Sequence, residues 1–457
     1  MTTGPEHASA PAVPPATPRR TNYDEIDPPS REKILDCVHC GLCLPTCPTY
    51  VALGTEMDSP RGRIYLIRQV DEGKIGFTGA FVDHMYKCLV CRACETACPS
   101  GVQFGSIMER ARGQIERHWR RPWSSRLARW AGYRVVLRHP AVLRAVVTLI
   151  GLYQRSGFQW LMRKSRLLRL LGRETAVRES LLPEVPPASQ RRPLPVLTPA
   201  KGGRRGQVAL LAGCIMQEVF QATNRATIRV LAENGWDVVV PRDQGCCGAL
   251  HVHEGELEEG KRLARRDVAA FEATGADYVV VNAAGCGSVM KEWGELLEHD
   301  PEWAERAKAL SAKVRDVSEV LAAHGPLRGR LGRLDLTVAY HDACHLAHGQ
   351  KVRQDPRAIL KAVPGLTLKE IRESDWCCGS AGVYNVVHAD LAMRILDRKM
   401  SRIGEVKADV LATGNPGCII QIRMGLERAG LVMTVVHPVD LLARAYEAGE
   451  RNGAFAV

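Results

Sequence analysis

A chain of 457 residues and 50.3 kDa, 46% hydrophobic, exceeds what one core holds and predicts two to four domains. Its net charge of +12 and pI near 9.1 raise the question of nucleic acid. Charge alone gives only nonspecific phosphate contact, and neither a stacking platform nor zinc-finger spacing accompanies it, so no nucleic acid is expected. No run reaches the roughly 18 apolar residues of a spanning helix; the best, Ala145 to Tyr153, sits between Arg144 and Arg155.

Residues 1–29, rich in Pro and Ala and without the apolar centre of a signal peptide, predict a disordered tail and a cytoplasmic protein. In that reducing compartment sixteen cysteines point to metal ligation rather than to disulfides.

Residues 30–115 predict a helical ferredoxin domain. Cys37, Cys40, Cys43 and Cys47 lie in CVHCGLCLPTCPTY, and Cys88, Cys91, Cys94 and Cys98 in CLVCRACETACPSGV. Both sets have the C-x2-C-x2-C-x3-C-Pro spacing of two-cluster ferredoxins, in which the fourth cysteine serves the other cluster. Cys37, Cys40, Cys43 and Cys98 are therefore assigned to one 4Fe-4S cluster, and Cys88, Cys91, Cys94 and Cys47 to a second. Structural zinc is the competing reading, but it normally uses two separated C-x2-C knuckles. Between the sets, DSPRGRIYLIRQV predicts a helix with Ser59 as cap, Pro60 in the first turn, and Ile64, Ile67 and Val70 on one face. Arg61 and Arg63 at its start are read as a solvated basic turn, or as groups that dock a partner or tune a cluster.

Residues 116–181 predict a basic amphipathic helical segment. From Arg110 to Arg205 there are 22 Lys and Arg against four acids (Glu116, Glu174, Glu179 and Glu184), a balance of +18, leaving −6 elsewhere. FQWLMRKSRLLRLLG mixes Trp160, Leu161, Leu167, Leu168 and Leu171 with Arg163, Lys164, Arg166 and Arg169. This suits peripheral contact with an anionic membrane, on the inner face of the cell membrane, or packing on a partner. The Pro-rich residues 182–206 predict an extended linker.

Beyond it the remaining cysteines repeat. Cys214, Cys246, Cys247 and Cys286 recur as Cys344, Cys377, Cys378 and Cys418 at offsets of 130, 131, 131 and 132, so residues 207–332 and 333–457 predict two copies of one module. Each cysteine site follows a β-branched run and precedes a helical stretch. The fold class expected is therefore multidomain α/β: a helical two-cluster domain, then two repeated α/β modules with mostly parallel sheets whose strand ends gather the thiols. Four thiolates per module suffice for a further iron-sulfur cluster; zinc or a redox-active vicinal disulfide are the alternatives. His251, His253, His341, His345 and His348 lie near these loops and are read as hydrogen-bonding rather than ligating residues.

Together, CVHCGLCLPTCPTY, DSPRGRIYLIRQV, CLVCRACETACPSGV, GCCGA, GCGSVMKEWGELL, CCGSAGVY and NPGC make residues 30–457 resemble the iron-sulfur subunits of bacterial glycolate oxidases, with two CCG modules. The resemblance implies an electron-transfer subunit that takes electrons from FAD-containing partner subunits oxidising glycolate to glyoxylate and passes them toward quinone. No G-x-G-x-x-G opens a helix after a strand, which places FAD on the partners. Lactate or another 2-hydroxy acid is the alternative substrate, and a heterodisulfide-reductase-like thiol-redox protein the alternative class. Related disulfide-reducing modules end in C-x-x-C, whereas Ala283 and Asn415 stand three residues before Cys286 and Cys418, which argues against their noncubane cluster.

Overall fold

The computed structural model describes residues 21–165, 168 and 172–454. Its N-terminal region is helical: Arg31–Leu35, Pro48–Leu53, Pro60–Asp71, Gly79–Tyr86, Ala93–Thr96 and Phe104–His118 surround a small core of their own. The helix predicted between the two cysteine sets is Pro60–Asp71. Ser59 accepts from the Gly62 amide, and Ile64, Ile67 and Val70 are buried.

Arg63 corrects the reading of that helix start. Its side chain is fully buried, donating to the Asp58 carbonyl (2.5 Å), Thr49 Oγ1 (3.0 Å) and the His84 carbonyl (2.8 Å) and pairing with Asp58. It ties the helix to both cysteine loops and faces neither solvent nor a partner. Residues 21–29, grouped with the tail on composition, are packed instead. Tyr23 is buried with its hydroxyl donating to the Ile67 carbonyl, and Asp24 takes Arg117 and Gln114. Residues 1–20 of the expected tail lie outside the described residues.

The basic segment forms helices Trp123–Arg129, Pro140–Arg155, Phe158–Lys164 and Arg173–Ser180, with a π-helical turn at Trp130–Val136. Leu167, Leu171, Arg166 and Arg169 of the expected amphipathic helix lie outside the described residues. The charge excess has an internal destination: Arg129 reaches Glu116, Glu254 and Glu256, Arg138 reaches Glu259, and Arg144 and Arg191 both reach Glu218. Acids of the first α/β module, which carried the compensating negative balance, thus take up the arginines. Leu143 and Val147 complete the fit by entering the module's core.

Among the described residues nine strands form two sheets. β1 (Leu197–Thr198), β2 (Gly206–Leu210), β3 (Trp236–Val239), β4 (Tyr278–Val281) and β5 (Val314–Asp316) run in the order β1-β3-β2-β4-β5, with only β1 antiparallel. β6 (Leu336–Tyr340), β7 (Leu366–Glu370), β8 (Val410–Ala412) and β9 (Thr434–Val436) give β7-β6-β8-β9, all parallel. The second sheet repeats the parallel part of the first, strand for strand. The C-terminal helix Pro438–Ala454 leaves its own module to pack on Gln221–Glu233 of the first. There the Tyr446 hydroxyl donates to the Arg328 carbonyl (2.7 Å) and accepts from Asn234 Nδ2 (2.9 Å). The modules therefore share core and cannot separate without exposing it.

Asp316, at the end of β5, caps helix Val317–Ala323 by accepting from the Ser318 amide. Burial pushes its carboxyl up from 3.8 to about 6, against those hydrogen bonds. On raising the pH, the unfolded chain loses this proton first, so folding stability is expected to fall between about pH 4 and pH 6 and then level off. Asp316→Asn keeps the acceptor and cannot ionise; it should gain on the order of 2–3 kcal/mol over the parent above pH 6 and nothing below pH 4. Denaturant melts across that pH range check this, and parallel curves for the two proteins would refute it.

Candidate iron-sulfur centres

All sixteen cysteines are free thiols, fifteen of them buried or half-buried within two regions of the fold and Cys40 exposed. In the helical region the thiols meet across the two sequence sets. Burial first, and then the neighbouring thiols of Cys98 and Cys40, hold Cys37 above the ordinary thiol range. Cys91 and Cys94 are raised by burial, with Cys47 and Cys88 among the charges acting on both. Cys43 feels both Cys37 and Cys47. The fourth cysteine of each set thus stands beside the other set, the arrangement that two adjacent cubane clusters require. Pro48 begins helix Pro48–Leu53 directly after Cys47 and turns that thiol away from its own loop. Closely grouped thiols held above their usual range by burial and by one another are donors that fit iron, which deprotonates the thiolates it binds.

Each module gathers its four thiols at the carboxyl ends of parallel strands, where loops converge. Cys214 follows β2, Cys286 lies in the helix after β4, Cys344 follows β6 and Cys418 lies in the helix after β8. The vicinal pairs come from the loops after β3 and β7. Hydrogen bonds link Cys214 to Cys246, Cys246 to Cys247 and Cys247 to Cys286. The second module repeats the chain from Cys344 through Cys377 and Cys378 to Cys418. In the first, hydrogen bonds from Cys214 and Cys247 hold Cys246 below the usual thiol range and push those two partners up. Gly248 and Gly379, both at positive φ, follow the vicinal pairs; a Cβ on Gly379 would lie 2.6 Å from the Ala392 carbonyl oxygen, so the loop needs glycine there.

The sets are not isolated from one another. Cys91 of the helical region acts electrostatically on both Cys344 and Cys377, which places the second ferredoxin set beside the second module. Around this junction His345 donates from Nε2 to the Val90 carbonyl (2.9 Å), His348 Nδ1 meets Thr96 Oγ1 (2.8 Å) and the Tyr384 hydroxyl donates to the Lys87 carbonyl (3.0 Å). His253 bonds Glu109 (2.7 Å), and His251 bonds the Tyr133 carbonyl (2.9 Å). Four of the five loop histidines therefore hold elements together through hydrogen bonds; His341 has a different environment.

Arg92, between Cys91 and Cys94, was not singled out from sequence. It sits at φ +62° and is buried, with Nη2 2.6 Å from Glu292 Oε2 and 3.4 Å from Glu109. It joins the second cysteine loop to the first module. Burial pushes Glu109 up, but the hydrogen bond from His253 and the Arg92 guanidinium win and hold it at about 2. No local signal marks this arginine, because its partners lie 17 and 200 positions away. A second feature without a sequence signal is a cavity of about 430 Å³ where helix Pro140–Arg155 faces the first sheet; Cys214 and Cys246 are in its wall with Leu143, Leu194, Val240 and Arg144.

Comparison with known families agrees with this architecture. Residues 33–102 match the 4Fe-4S dicluster domain, residues 208–291 and 338–423 the cysteine-rich CCG domain, and residues 124–182 the linker region of glycolate oxidase iron-sulfur subunits. The fold and its thiol sets are those of an iron-sulfur protein that joins a dicluster domain to two CCG modules. Relatives narrow the class. The chain is 42% identical over 422 residues to the probable glycolate oxidase iron-sulfur subunit of Bacillus subtilis (strain 168), covering 90% of this chain and 94% of that one. It is 37% identical over 415 residues to the glycolate oxidase iron-sulfur subunit of Escherichia coli (strain K12), with the same two coverages. Lactate utilization protein A of Geobacillus sp. (strain WCH70) is 29% identical over 236 residues, 52% of this chain and 98% of that one. The chain belongs to the family of glycolate oxidase iron-sulfur subunits.

Proposed function

We propose that this chain is the electron-transfer subunit of a flavin-dependent glycolate-oxidising complex, receiving electrons from FAD-containing partner subunits and delivering them singly toward a quinone. The observation that carries the reading is the continuity of the thiol sets, from Cys37 through Cys91 to Cys344. We assign one 4Fe-4S cluster to Cys37, Cys40, Cys43 and Cys98, a second to Cys88, Cys91, Cys94 and Cys47, and further clusters to the two module sets. When bound, each cluster supplies a one-electron carrier. The chain's own part is to bury the thiols, fix their loops through Arg63 and Arg92, and keep water from the path. The cavity beside Cys214 and Cys246 suits an acceptor, since its apolar wall accommodates a quinone ring and Arg144 stands at its edge.

Anaerobic purification with the co-purifying subunits tests this. Iron near eight or more per chain, with paramagnetic signals that grow on adding glycolate, is the expected result. Signals that grow only with lactate would move the substrate to that acid, and zinc in place of iron would overturn the electron-transfer reading.

The linker helices offer a contact surface to the membrane. Among the described residues, no single helix is long and apolar enough to cross a membrane; the pair Trp123–Val136 and Pro140–Arg155 passes on length and composition together but is bent by 109°. Trp123, Leu127, Leu149, Leu152 and Trp160 are nonetheless more than half exposed. With so many of the segment's arginines paired internally, this apolar ridge rather than net charge is the feature that favours a bilayer surface. Exchanging Leu149, Leu152 and Trp160 for Ser is expected to reduce sedimentation with anionic vesicles several-fold while high salt has little effect. Unchanged sedimentation together with loss of the flavoprotein on purification would assign the ridge to the partner subunit.

A further inference from the structure

The second module contains one more donor than its cysteines supply. His341 directly follows β6, three residues before Cys344, and is fully buried. A ring nitrogen of His341 and the Sγ atoms of Cys378 and Cys418 all lie within 4.8 Å of one another. Nδ1 faces the Ser374 carbonyl at 2.9 Å and must donate to it, so the lone pair is on Nε2, which has no hydrogen-bond partner. A buried nitrogen without a hydrogen-bond partner, on a ring beside two thiols, costs stability unless something else fills the gap.

The surroundings hold the ring in that orientation. Lys399, buried on helix Ala389–Gly404, donates to the carbonyls of Glu373 (2.6 Å) and Ser374 (3.1 Å), which fixes the acceptor that Nδ1 uses. Asp342 accepts from Ser374 Oγ (2.7 Å) and is clamped by Arg357. A backbone carbonyl that accepts from one imidazole nitrogen while the other points at a metal is the usual support of a ligating histidine. Asn415, also at the thiols, is occupied differently: its Nδ2 donates to Cys418 Sγ at 3.5 Å. The first module places no histidine at this position, since Leu211 follows β2 where His341 follows β6; its buried histidine, His251, instead hydrogen-bonds Cys246 and the Tyr133 carbonyl.

We infer that His341 Nε2 ligates iron in the cluster held by Cys344, Cys377, Cys378 and Cys418. The inference rests on the proposed presence of a cluster in this module. As a fifth donor beside the four thiolates, a neutral imidazole adds no negative charge, so such a centre is more easily reduced than one with a further thiolate at this position. This suits a set that stands next in line after Cys91.

The test uses the full chain, with its clusters assembled anaerobically and chemically reduced, so that no flavoprotein is needed. With 15N-histidine incorporated, pulsed paramagnetic resonance should show strong histidine-nitrogen coupling to one cluster. His341→Gln should lose that coupling, and His341→Cys should keep the iron, lose the coupling and show a lower midpoint potential. No nitrogen coupling in the parent, or coupling that survives in His341→Gln, overturns the ligand assignment. Iron matching only the two ferredoxin clusters overturns it by a separate route, through the absence of a cluster in the module.

Discussion

Cys91→Ser should remove one cluster's worth of iron and abolish electron delivery beyond the helical domain, while the partner flavin remains fully reducible by substrate. Cys91 is buried, belongs to the second ferredoxin set, and is the thiol that acts on Cys344 and Cys377. Its replacement therefore damages a cluster site and its junction with the second module at once. Cys40→Ser is the comparison, because Cys40 is exposed and belongs to the other ferredoxin set. Iron analysis and turnover with an external acceptor, set against anaerobic bleaching of the flavin by glycolate, separate the possibilities. Turnover preserved in Cys91→Ser would mean that electrons do not pass this thiol set.

Arg92→Met should destabilise the junction between the helical domain and the first module by about 3–5 kcal/mol, the usual cost of removing one partner from a buried ion pair. Glu292 and Glu109 would be left without their cation, and Glu109, held at about 2 in the parent, would lose part of what keeps it ionised. The penalty should therefore grow as the pH rises, since the variant's folded state keeps a proton on Glu109 that the parent and the unfolded chain have given up, and it should level off once the pH passes the raised pKa of that unpaired carboxyl. Arg92→Lys should recover only part of the loss, because an ammonium cannot reproduce the two-pronged contact with Glu292. Denaturant melts at two pH values measure both effects, and equal losses in Met and Lys variants would show that packing rather than charge holds the junction.

What was legible from residues alone follows a common rule. The cysteine sets, the duplicated module and helix Pro60–Asp71 are all encoded over short distances: ligand spacing within a loop, one cap, one apolar face. The misread parts are those whose partners are remote. Arg61 and Arg63 look alike in sequence, yet Arg61 pairs with Glu56 near the surface and Arg63 is sealed against Asp58 and Thr49. The arginines of residues 116–181 suggested an external anionic surface, and the structure pairs many of them with Glu218, Glu254, Glu256 and Glu259. Five histidines near cysteine loops were likewise indistinguishable until their neighbours were in place. Four are engaged in hydrogen bonds between elements, and His341, bonded through Nδ1 to the Ser374 carbonyl, stands with a ring nitrogen beside the thiols of Cys378 and Cys418.

By itself the sequence determined the composition of each thiol set and the repeat that relates the two modules. A metal cluster constrains its ligands locally, and local constraints leave their mark as spacing. Only the tertiary structure decided the order of the sets, the docking of the linker helices and the place of His341. These depend on which buried faces and charges meet across more than a hundred residues of chain, as Arg92 meets Glu292, and such pairings are selected by packing and desolvation in the assembled core rather than by any local pattern.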